Sequence, residues 1–228
     1  MTQPRRPIIA IDGPVGAGKS TVARALARAL GFSHLNTGAM YRAVALAASL
    51  RYTGPELSEP TIAQRLGELL NSIAITFDGE RVKLDGRDIS DSITTPRIGD
   101  LASRLSALPV VRERMRDLQR AAGAAGGVVM EGRDIGTVIF PDAEFKFYLT
   151  ADVAIRAERR WMELRAKGEQ ISRDDVLAQL QERDKRDQER ELAPLKPAND
   201  AIMVDSSKLE VDQVVAQMQK LIEGGSPN

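Results

Sequence analysis

The sequence predicts an α/β fold, in which a P-loop parallel β-sheet is flanked by helices and carries a small antiparallel β insert. Two observations lead to this fold class. Short, continuously apolar runs, typical of strands buried on both faces, alternate with segments of helical periodicity. The first apolar run leads directly into a glycine-rich stretch that ends in Gly-Lys-Ser, the order of a phosphate-binding loop between a strand and a helix.

The predicted elements follow in chain order. Strands are expected at 8–12, 127–130, 145–149 and 201–204, and helices at 19–30, 38–51, 61–71, 97–122, 154–167, 173–191 and 211–224. Between these, three short runs at 73–77, 81–84 and 87–90 are separated by Asp78-Gly79 and Asp85-Gly86. Asp-Gly between alternating residues is the strongest short hairpin signal, so these runs predict an antiparallel meander. The tail from Gly224 to Asn228 is expected to fray.

The composition is that of an ordinary globular chain of 228 residues, with 28% charged and 43% hydrophobic residues. Lys+Arg and Asp+Glu are both 32, which argues against a nucleic-acid partner held by bulk charge. The lack of cysteine excludes disulfides, thiolate metal sites and a cysteine nucleophile. Too few apolar residues precede Asp12 for a signal peptide, and no run approaches the roughly 18 residues of a membrane span. We expect a cytoplasmic monomer with no membrane or nucleic-acid partner.

Residues 13 to 20 complete the motif G-x-x-x-x-G-K-[ST]. Its glycines let backbone N–H groups close around phosphate oxygens, and the helix that follows points its positive end at the same anion. Lys19 is predicted to reach the β- and γ-phosphates of a nucleoside triphosphate, and the Ser20 hydroxyl to hold Mg²⁺. The predicted nucleoside triphosphate-binding residues are Gly13, Pro14, Val15, Gly16, Ala17, Gly18, Lys19, Ser20 and Thr21.

Two helical segments are rich in arginine. Arg156, Arg159 and Arg160 stand at i, i+3 and i+4 and share a helix face, where an anion would relieve their repulsion. A solvated surface with nearby glutamates explains the same pattern. Further along, Arg183, Asp187 and Arg190 stand at i, i+4 and i+7, a spacing that an exposed, salt-bridged helix would also show.

Polar residues follow the predicted strand at 127–130. Glu131 to Gly136 (EGRDIG) occupies the carboxyl end of a parallel strand, which is where α/β proteins bind ligands. For Arg133 and Asp134 a functional role is therefore favoured. The two flanking glycines would let the backbone approach a ligand closely.

Four other residues have less specific signals. Thr37 is predicted to cap the helix that follows it, and Arg42 fits anion binding and solvent exposure equally well. A structural role is favoured for His34, the only histidine, and a packing role for Trp161.

Four blocks, GPVGAGKST, LNTGAMYRA, EGRDIGTVIFPDA and ERDKRDQERELAPLKPA, together resemble bacterial cytidylate kinase, a P-loop nucleoside monophosphate kinase family. They occur in the family's order, and the resemblance extends from about Ile8 to the last helix. It implies one P-loop kinase domain over 1–228, with a monophosphate-binding insert at about 61–93 and a mobile, helical lid at about 152–173. The implied reaction is transfer of the γ-phosphoryl group of ATP to CMP or dCMP, with Mg²⁺.

The resemblance also implies roles for individual residues. Lys19 and Arg133, with Arg156, Arg159 and Arg160 of the lid, would act on the transferring phosphoryl group. Substrate-binding residues would be Thr37, Arg42, Arg133 and Arg190 around the monophosphate, Ser103, Arg112 and Asp134 facing cytosine, and Arg183 and Asp187 near the ribose. A carboxylate suits cytosine because it accepts from the exocyclic amine that uracil lacks.

One residue departs from the family, and two other functions compete. Asn36 stands where family members commonly carry Asp, and an amide supplies no charge near the phosphates. A GTPase-type switch would use N-K-x-D and D-x-x-G stretches, neither of which occurs. A kinase of the same fold class that acts on another small metabolite remains open, because the fold alone does not determine the substrate.

Overall fold

The computed structural model describes residues 6–53, 56–58 and 61–225, and the chain divides into two compact units. The first unit comprises the chain up to His34 and from Ala125 onward, and the second is Leu35–Ala124. The strands are β1 Ile8–Asp12, β2 Ser33–Asn36, β3 Ile75–Asp78, β4 Arg81–Leu84, β5 Arg87–Asp88, β6 Val128–Gly132, β7 Phe145–Thr150 and β8 Ile202–Asp205. The helices are α1 Lys19–Leu30, α2 Thr37–Arg51, α3 Ile62–Ser72, α4 Pro96–Leu105, α5 Pro109–Gly123, α6 Val153–Ala166, α7 Arg173–Glu189 and α8 Val211–Glu223.

A five-stranded sheet with the strand order β2-β6-β1-β7-β8 organises the first unit. β1 runs parallel to both β6 and β7, and β8 runs parallel to β7. All five residues of β1 are buried, as the continuous apolar run predicts for a central strand. In register, Asp12 lies beside Gly132 of β6 and Tyr148 of β7. The loops that follow β1 and β6 therefore leave the sheet at the same edge.

The core of the first unit lies against one face of this sheet. Ile9 and Ile11 of β1 pack with Leu26 of α1 and Met218 of α8, and each of these side chains is fully buried. The apolar spacing of α1 predicts this buried stripe, which anchors the helix that begins at the phosphate-binding loop.

The second unit contains the predicted meander, in the order β3-β4-β5. Asp85 and Gly86 form the turn between β4 and β5, and both have positive φ (50° and 80°), as a tight Asp-Gly hairpin turn requires. The first turn is displaced by one residue from the predicted Asp78-Gly79, because Asp78 pairs with Arg81 across Gly79-Glu80.

Two expectations about helices are wrong. The segment predicted as one helix at 97–122 forms α4 and α5, because Pro109 starts a new helix after the turn at Ser106–Leu108. Asn36, and not Thr37, caps α2: its side-chain oxygen accepts from the Ala39 N–H at 3.0 Å, and Thr37 is the first helical residue.

β1, α1 and β4 have the predicted bounds, and the bounds of the other predicted elements differ by at most two residues. β2, two 3₁₀ turns at Glu56–Ser58 and Ser92–Thr94, and a π turn at Ile135–Ile139 were not predicted. Of the tail expected to fray, residues 226–228 lie outside the described part of the chain, as do residues 1–5. In the part of the chain that is described, no helix has both the length and the apolar character needed to cross a membrane.

Candidate active site at the carboxyl edge of the sheet

The loop between β1 and α1 has a backbone that only glycine can adopt at two points. Gly13 has φ 148°, and a Cβ there would lie 1.9 Å from the carbonyl oxygen of Leu149. Gly16 has φ 78°, and a Cβ there would lie 2.9 Å from the carbonyl oxygen of Arg156. The motif therefore sets the loop tightly against neighbouring backbone and leaves its N–H groups available to an anion.

Lys19 begins α1 and is buried, with 7% of its surface exposed. Its Nζ donates to the carbonyl oxygen of Pro14 at 2.7 Å. Burial lowers the pKa of Lys19 well below 10.5, and the positive charges of Arg133 and Arg183 lower it further. The negative charges of Glu131 and Asp12 act in the opposite direction and raise it. A phosphate would offset this cost of holding a buried cation among other cations.

Ser20 contacts a carboxylate from β6. Its Oγ donates to Oε2 of Glu131 at 2.8 Å, and Oε1 of the same carboxylate lies 3.1 Å from Nε2 of His34. The structural role favoured for His34 stays a prediction. Among the described residues, no group of three or more His, Cys, Asp or Glu side chains could hold a metal by itself. The hydroxyl and the carboxylate fit Mg²⁺, which takes one or two protein oxygens together with phosphate oxygens and water.

The helix α7 brings together residues predicted to bind the substrate. Nε of Arg133 donates to Oδ2 of Asp187 at 3.1 Å. Burial alone would raise the pKa of Asp187, but the charges of Arg133, Arg183 and Arg190 hold it below 3.8. The three arginines therefore surround one carboxylate, and the positive charge in excess suits a phosphate.

Asp134 lies beside the same cluster. Its Oδ1 is 3.8 Å from Nη2 of Arg190, and both side chains are buried. Arg190 is held by a further bond from Nε to the carbonyl oxygen of Ala193, at 2.7 Å. The base-facing and phosphate-facing residues of the prediction thus adjoin each other in the first unit.

The arginines of α6, for which an anion site and a solvated surface were both open, have partners within the protein. Nη1 of Arg156 bonds Oδ2 of Asp184 at 2.6 Å and the carbonyl oxygen of Val15 at 3.1 Å. Arg160 pairs with Glu163 at 2.7 Å. Glu163 is one of the nearby glutamates of the solvated-surface alternative, whereas Asp184 comes from α7, 28 residues further along the chain, where a local pattern cannot reveal it.

Arg159 reaches the phosphate-binding loop indirectly. Its Nη2 donates to the carbonyl oxygen of Ser206 at 2.7 Å, and Oγ of Ser206 donates to the carbonyl oxygen of Ala17 at 3.1 Å. α6 is thus bonded to both halves of the loop that binds phosphate. Thr21, also predicted to bind ATP, is exposed in the first turn of α1.

Trp161 has the packing role expected for it. Its indole N–H donates to the carbonyl oxygen of Ile171 at 3.0 Å, and the guanidinium carbon of Arg173 lies 4.2 Å from the ring centroid. Arg165 lies over the ring at 5.2 Å. The turn between α6 and α7 is therefore folded back onto α6.

The remaining predicted substrate residues belong to the second unit. Ser103 and Arg112 are both buried and lie on either side of the α4–α5 turn. Oγ of Ser106 donates to the carbonyl oxygen of Ser103 at 2.8 Å, and Nη1 of Arg112 donates to the carbonyl oxygen of Ser106 at 3.2 Å. Thr37 is buried at the start of α2, and Arg42 is half-buried on the same helix.

Sequence reasoning missed Asp12 and Asp184, and it gave Glu131 no role of its own although this residue begins the stretch 131–136 that was predicted to lie at a ligand-binding edge. Asp12 is buried at the end of β1, and burial raises its pKa from 3.8 to about 6, against two backbone hydrogen bonds from Gly136 and Ile135 that lower it. Its position at the end of an apolar strand is the same signal that singled out Asp134. No comparable signal marks Asp184, which lies in a run of mixed charges.

A family model and individual relatives of known sequence all match this chain to cytidylate kinases. The family model described as cytidylate kinase matches residues 9–224. A cytidylate kinase of Geobacter sulfurreducens is 45% identical over 215 residues, 94% of this chain and 92% of that protein. A cytidylate kinase of Pelotomaculum thermopropionicum is 46% identical over 222 residues, covering 96% and 97%.

Similarity among solved structures extends to the fold alone. A shikimate kinase from Acinetobacter baumannii matches with a TM-score of 0.50 at 16% identity, over 97% of this chain and 95% of that one. An uncharacterised protein from Eubacterium ventriosum matches with a TM-score of 0.52, also at 16% identity.

Proposed function

The chain belongs to the cytidylate kinase family, and we propose that it transfers the γ-phosphoryl group of ATP to CMP or dCMP, giving ADP and CDP or dCDP. It is an enzyme of the nucleoside monophosphate kinase class. One observation carries the proposed site: the buried Lys19 of the phosphate-binding loop lies within electrostatic reach of Arg133 and Arg183. Phosphoryl transfer requires in-line positioning and cations that stabilise spread negative charge, and the three side chains of this cluster would be the cations.

ATP is the co-substrate that the family implies, and we assign its phosphates to residues 13–21. The Ser20 hydroxyl, with Glu131 beside it, would hold Mg²⁺. When bound there, Mg²⁺ neutralises charge on the β- and γ-phosphate oxygens. Lys19 would give up its hydrogen bond to the carbonyl of Pro14 and bind the transferring phosphate. The negative charge of the phosphate would offset the cost of burying the lysine's positive charge.

For the acceptor, we assign the monophosphate to Arg133 and Arg190 and the ribose to Arg183 and Asp187. Both phosphate-binding arginines already hold carboxylates, Asp187 and Asp134 respectively, so their guanidinium groups are ordered before substrate arrives. Preorganised cations of this kind need little rearrangement when charge develops. Asp134 would accept a hydrogen bond from the cytosine amine.

In the second unit, we assign Ser103 and Arg112 to the cytosine, and Thr37 and Arg42 to the monophosphate. Asn36 supports the last two by capping α2, a task that needs only an acceptor oxygen and that an amide performs as well as a carboxylate. The replacement of the family's usual Asp is thus compatible with a correctly started α2.

The segment 152–173 would act as a lid whose arginines approach the transferring group. Arg156 commits Nε and Nη1 to protein acceptors, so its role includes holding the loop at Val15 as well as stabilising charge. The cytoplasmic location, the monomeric state and the lack of a nucleic-acid partner stay predictions from the sequence.

A panel of acceptors tests the assignment. ADP release would be measured by a coupled assay with CMP, dCMP, UMP, AMP, shikimate and gluconate, each with ATP and Mg²⁺. We expect kcat/KM to be highest for CMP or dCMP. Preferred turnover of shikimate, gluconate or AMP would contradict the proposal, and a Lys19→Ala variant would control for contaminating kinases.

A further inference from the structure

The carboxylate of Asp12 contacts the loop after β6, although Asp12 itself leads into the phosphate-binding loop. Its Oδ1 accepts from the backbone N–H of Ile135 at 2.9 Å, and its Oδ2 accepts from that of Gly136 at 2.8 Å. Asp12 is buried, with 5% of its surface exposed. One carboxylate therefore holds two consecutive amides at the start of the π turn.

The same loop is confined from another direction. A Cβ on Gly136 would lie 3.2 Å from both Cγ and Cδ of Lys146, so the stem of this lysine packs directly against the glycine. The N–H groups of Val138 and Ile139 both donate hydrogen bonds to the carbonyl oxygen of Asp134, at 2.9 and 3.2 Å. π turns are rare and concentrate at functional sites, and this one begins immediately after Asp134.

We infer that Asp12 is a positioning residue for the acceptor nucleotide: by holding Ile135 and Gly136, it sets where Asp134 presents its carboxylate. This inference rests on the proposed function of Asp134. A displacement of about 1 Å in a group that contacts substrate can cost roughly 10²-fold in rate, so the anchor of the loop bears directly on recognition of the base.

Both oxygens of the Asp12 side chain take part in this geometry. Two N–H donors need two acceptor oxygens, whereas an amide offers one oxygen and turns an NH₂ group toward the second donor. Asp12→Asn keeps the size of the side chain and removes one of the two bonds. It therefore displaces the loop without emptying the space at the end of β1.

The effect should fall on the acceptor and not on ATP. For Asp12→Asn we expect KM for CMP to rise at least 10-fold and the ratio of kcat/KM between CMP and UMP to fall, while KM for ATP changes less than about threefold. Glu144→Gln is the matched control, because that carboxylate accepts the N–H of Ile8 at 2.8 Å at the opposite end of the same strand. It should leave all three quantities unchanged.

Hydrogen exchange gives a readout independent of activity. The amides of Ile135 and Gly136 should be protected in the wild type, exchange at least 10-fold faster in Asp12→Asn, and be unaffected in Glu144→Gln. Gly136→Ala provides a second route, because its Cβ pushes the loop away from Lys146 and leaves Asp12 intact. It should also raise KM for CMP more than KM for ATP, and it serves if Asp12→Asn does not fold.

The outcomes separate this inference from the function on which it rests. A wild type that does not phosphorylate CMP or dCMP overturns both. If Asp134→Asn lowers the CMP/UMP ratio and Asp12→Asn does not, the role of Asp12 is wrong and the function stands. A larger rise in KM for ATP than for CMP in Asp12→Asn also overturns the positioning role.

Discussion

Removing Arg156 should destabilise the protein far more than removing its neighbour Arg160. The Arg156 guanidinium bonds Asp184 at 2.6 Å, and the two side chains are only 8% and 12% exposed. It also donates to Val15 and Ala151 backbone oxygens at 3.1 and 3.0 Å. Oδ1 of Asp184 has no hydrogen-bond partner among the described residues, so this carboxylate depends heavily on Arg156.

Arg156→Ala leaves that carboxylate buried and uncompensated. Breaking a buried pair from one side costs about 3–5 kcal/mol, whereas an exposed pair contributes about 0–1 kcal/mol. For a chain of this size each kcal/mol shifts Tm by roughly 2–4 °C, so Arg156→Ala should lower Tm by about 6–20 °C. Arg160, whose partner Glu163 is 48% exposed, is the control on the same helix, and Arg160→Ala should lower Tm by less than about 4 °C.

Differential scanning calorimetry and urea unfolding would measure both variants. In the background of Arg156→Ala, Asp184→Asn should recover part of the lost stability because it removes the stranded charge. A loss below about 1 kcal/mol for Arg156→Ala, or no recovery in the double variant, would show that this pair does not join α6, α7 and the phosphate-binding loop.

Four further predictions follow from the site. Lys19→Ala should lower kcat at least roughly 10²-fold with the fold retained, because a preorganised cation at the transferring group is lost; steady-state kinetics and circular dichroism measure this. Asp134→Asn should reduce discrimination of CMP from UMP by about 1–3 kcal/mol in kcat/KM. Amides across 152–173 should exchange more slowly when an ATP analogue and CMP are both bound than with either alone. Because the pKa of Asp12 is raised in the folded protein, the free energy of unfolding of the wild type should fall by about 2–2.5 kcal/mol relative to that of Asp12→Asn between pH 4 and 7, measured by urea unfolding.

The sign of the pH effect follows from the direction of the pKa shift. The pKa of Asp12 is raised from 3.8 to about 6 in the folded state, so its favourable contribution is complete below pH 3.8 and is lost as pH rises through 6. Asp134 and Lys19 interact electrostatically with this carboxylate, and both are retained in Asp12→Asn. A difference in unfolding free energy that stays constant over this range would refute burial as the cause.

The other three have equally direct counter-outcomes. Normal turnover in a folded Lys19→Ala would end the proposed role of the loop. If Asp134→Asn leaves the ratio of kcat/KM for CMP to that for UMP unaltered, Asp134 does not recognise the base, and its role would be the contact with Arg190. Unchanged exchange at 152–173 would reject the closing lid.

The sequence predicted best what is local. The phosphate-binding loop, α1 and the hairpin turn at Asp85-Gly86 are each specified by a few consecutive residues, and they fold as their residue types predict. The prediction of a single helix at 97–122 was wrong, although the sequence contained the signal for a break. Pro109 favours the first turn of a new helix and is unfavourable in a helix interior. β2 is short and partly polar, so no apolar run marks it.

The contacts that build the candidate site could be known only from the tertiary structure. Parallel register sets Asp12 beside Gly132, and this brings its carboxylate to amides 123 and 124 residues away. The packing of α6 on α7 pairs Arg156 with Asp184, and α7 also sets Asp187 among three arginines. Spacing along the chain shows which side chains share a face of one element. Which face meets which is decided when the apolar sides of all the elements are buried together.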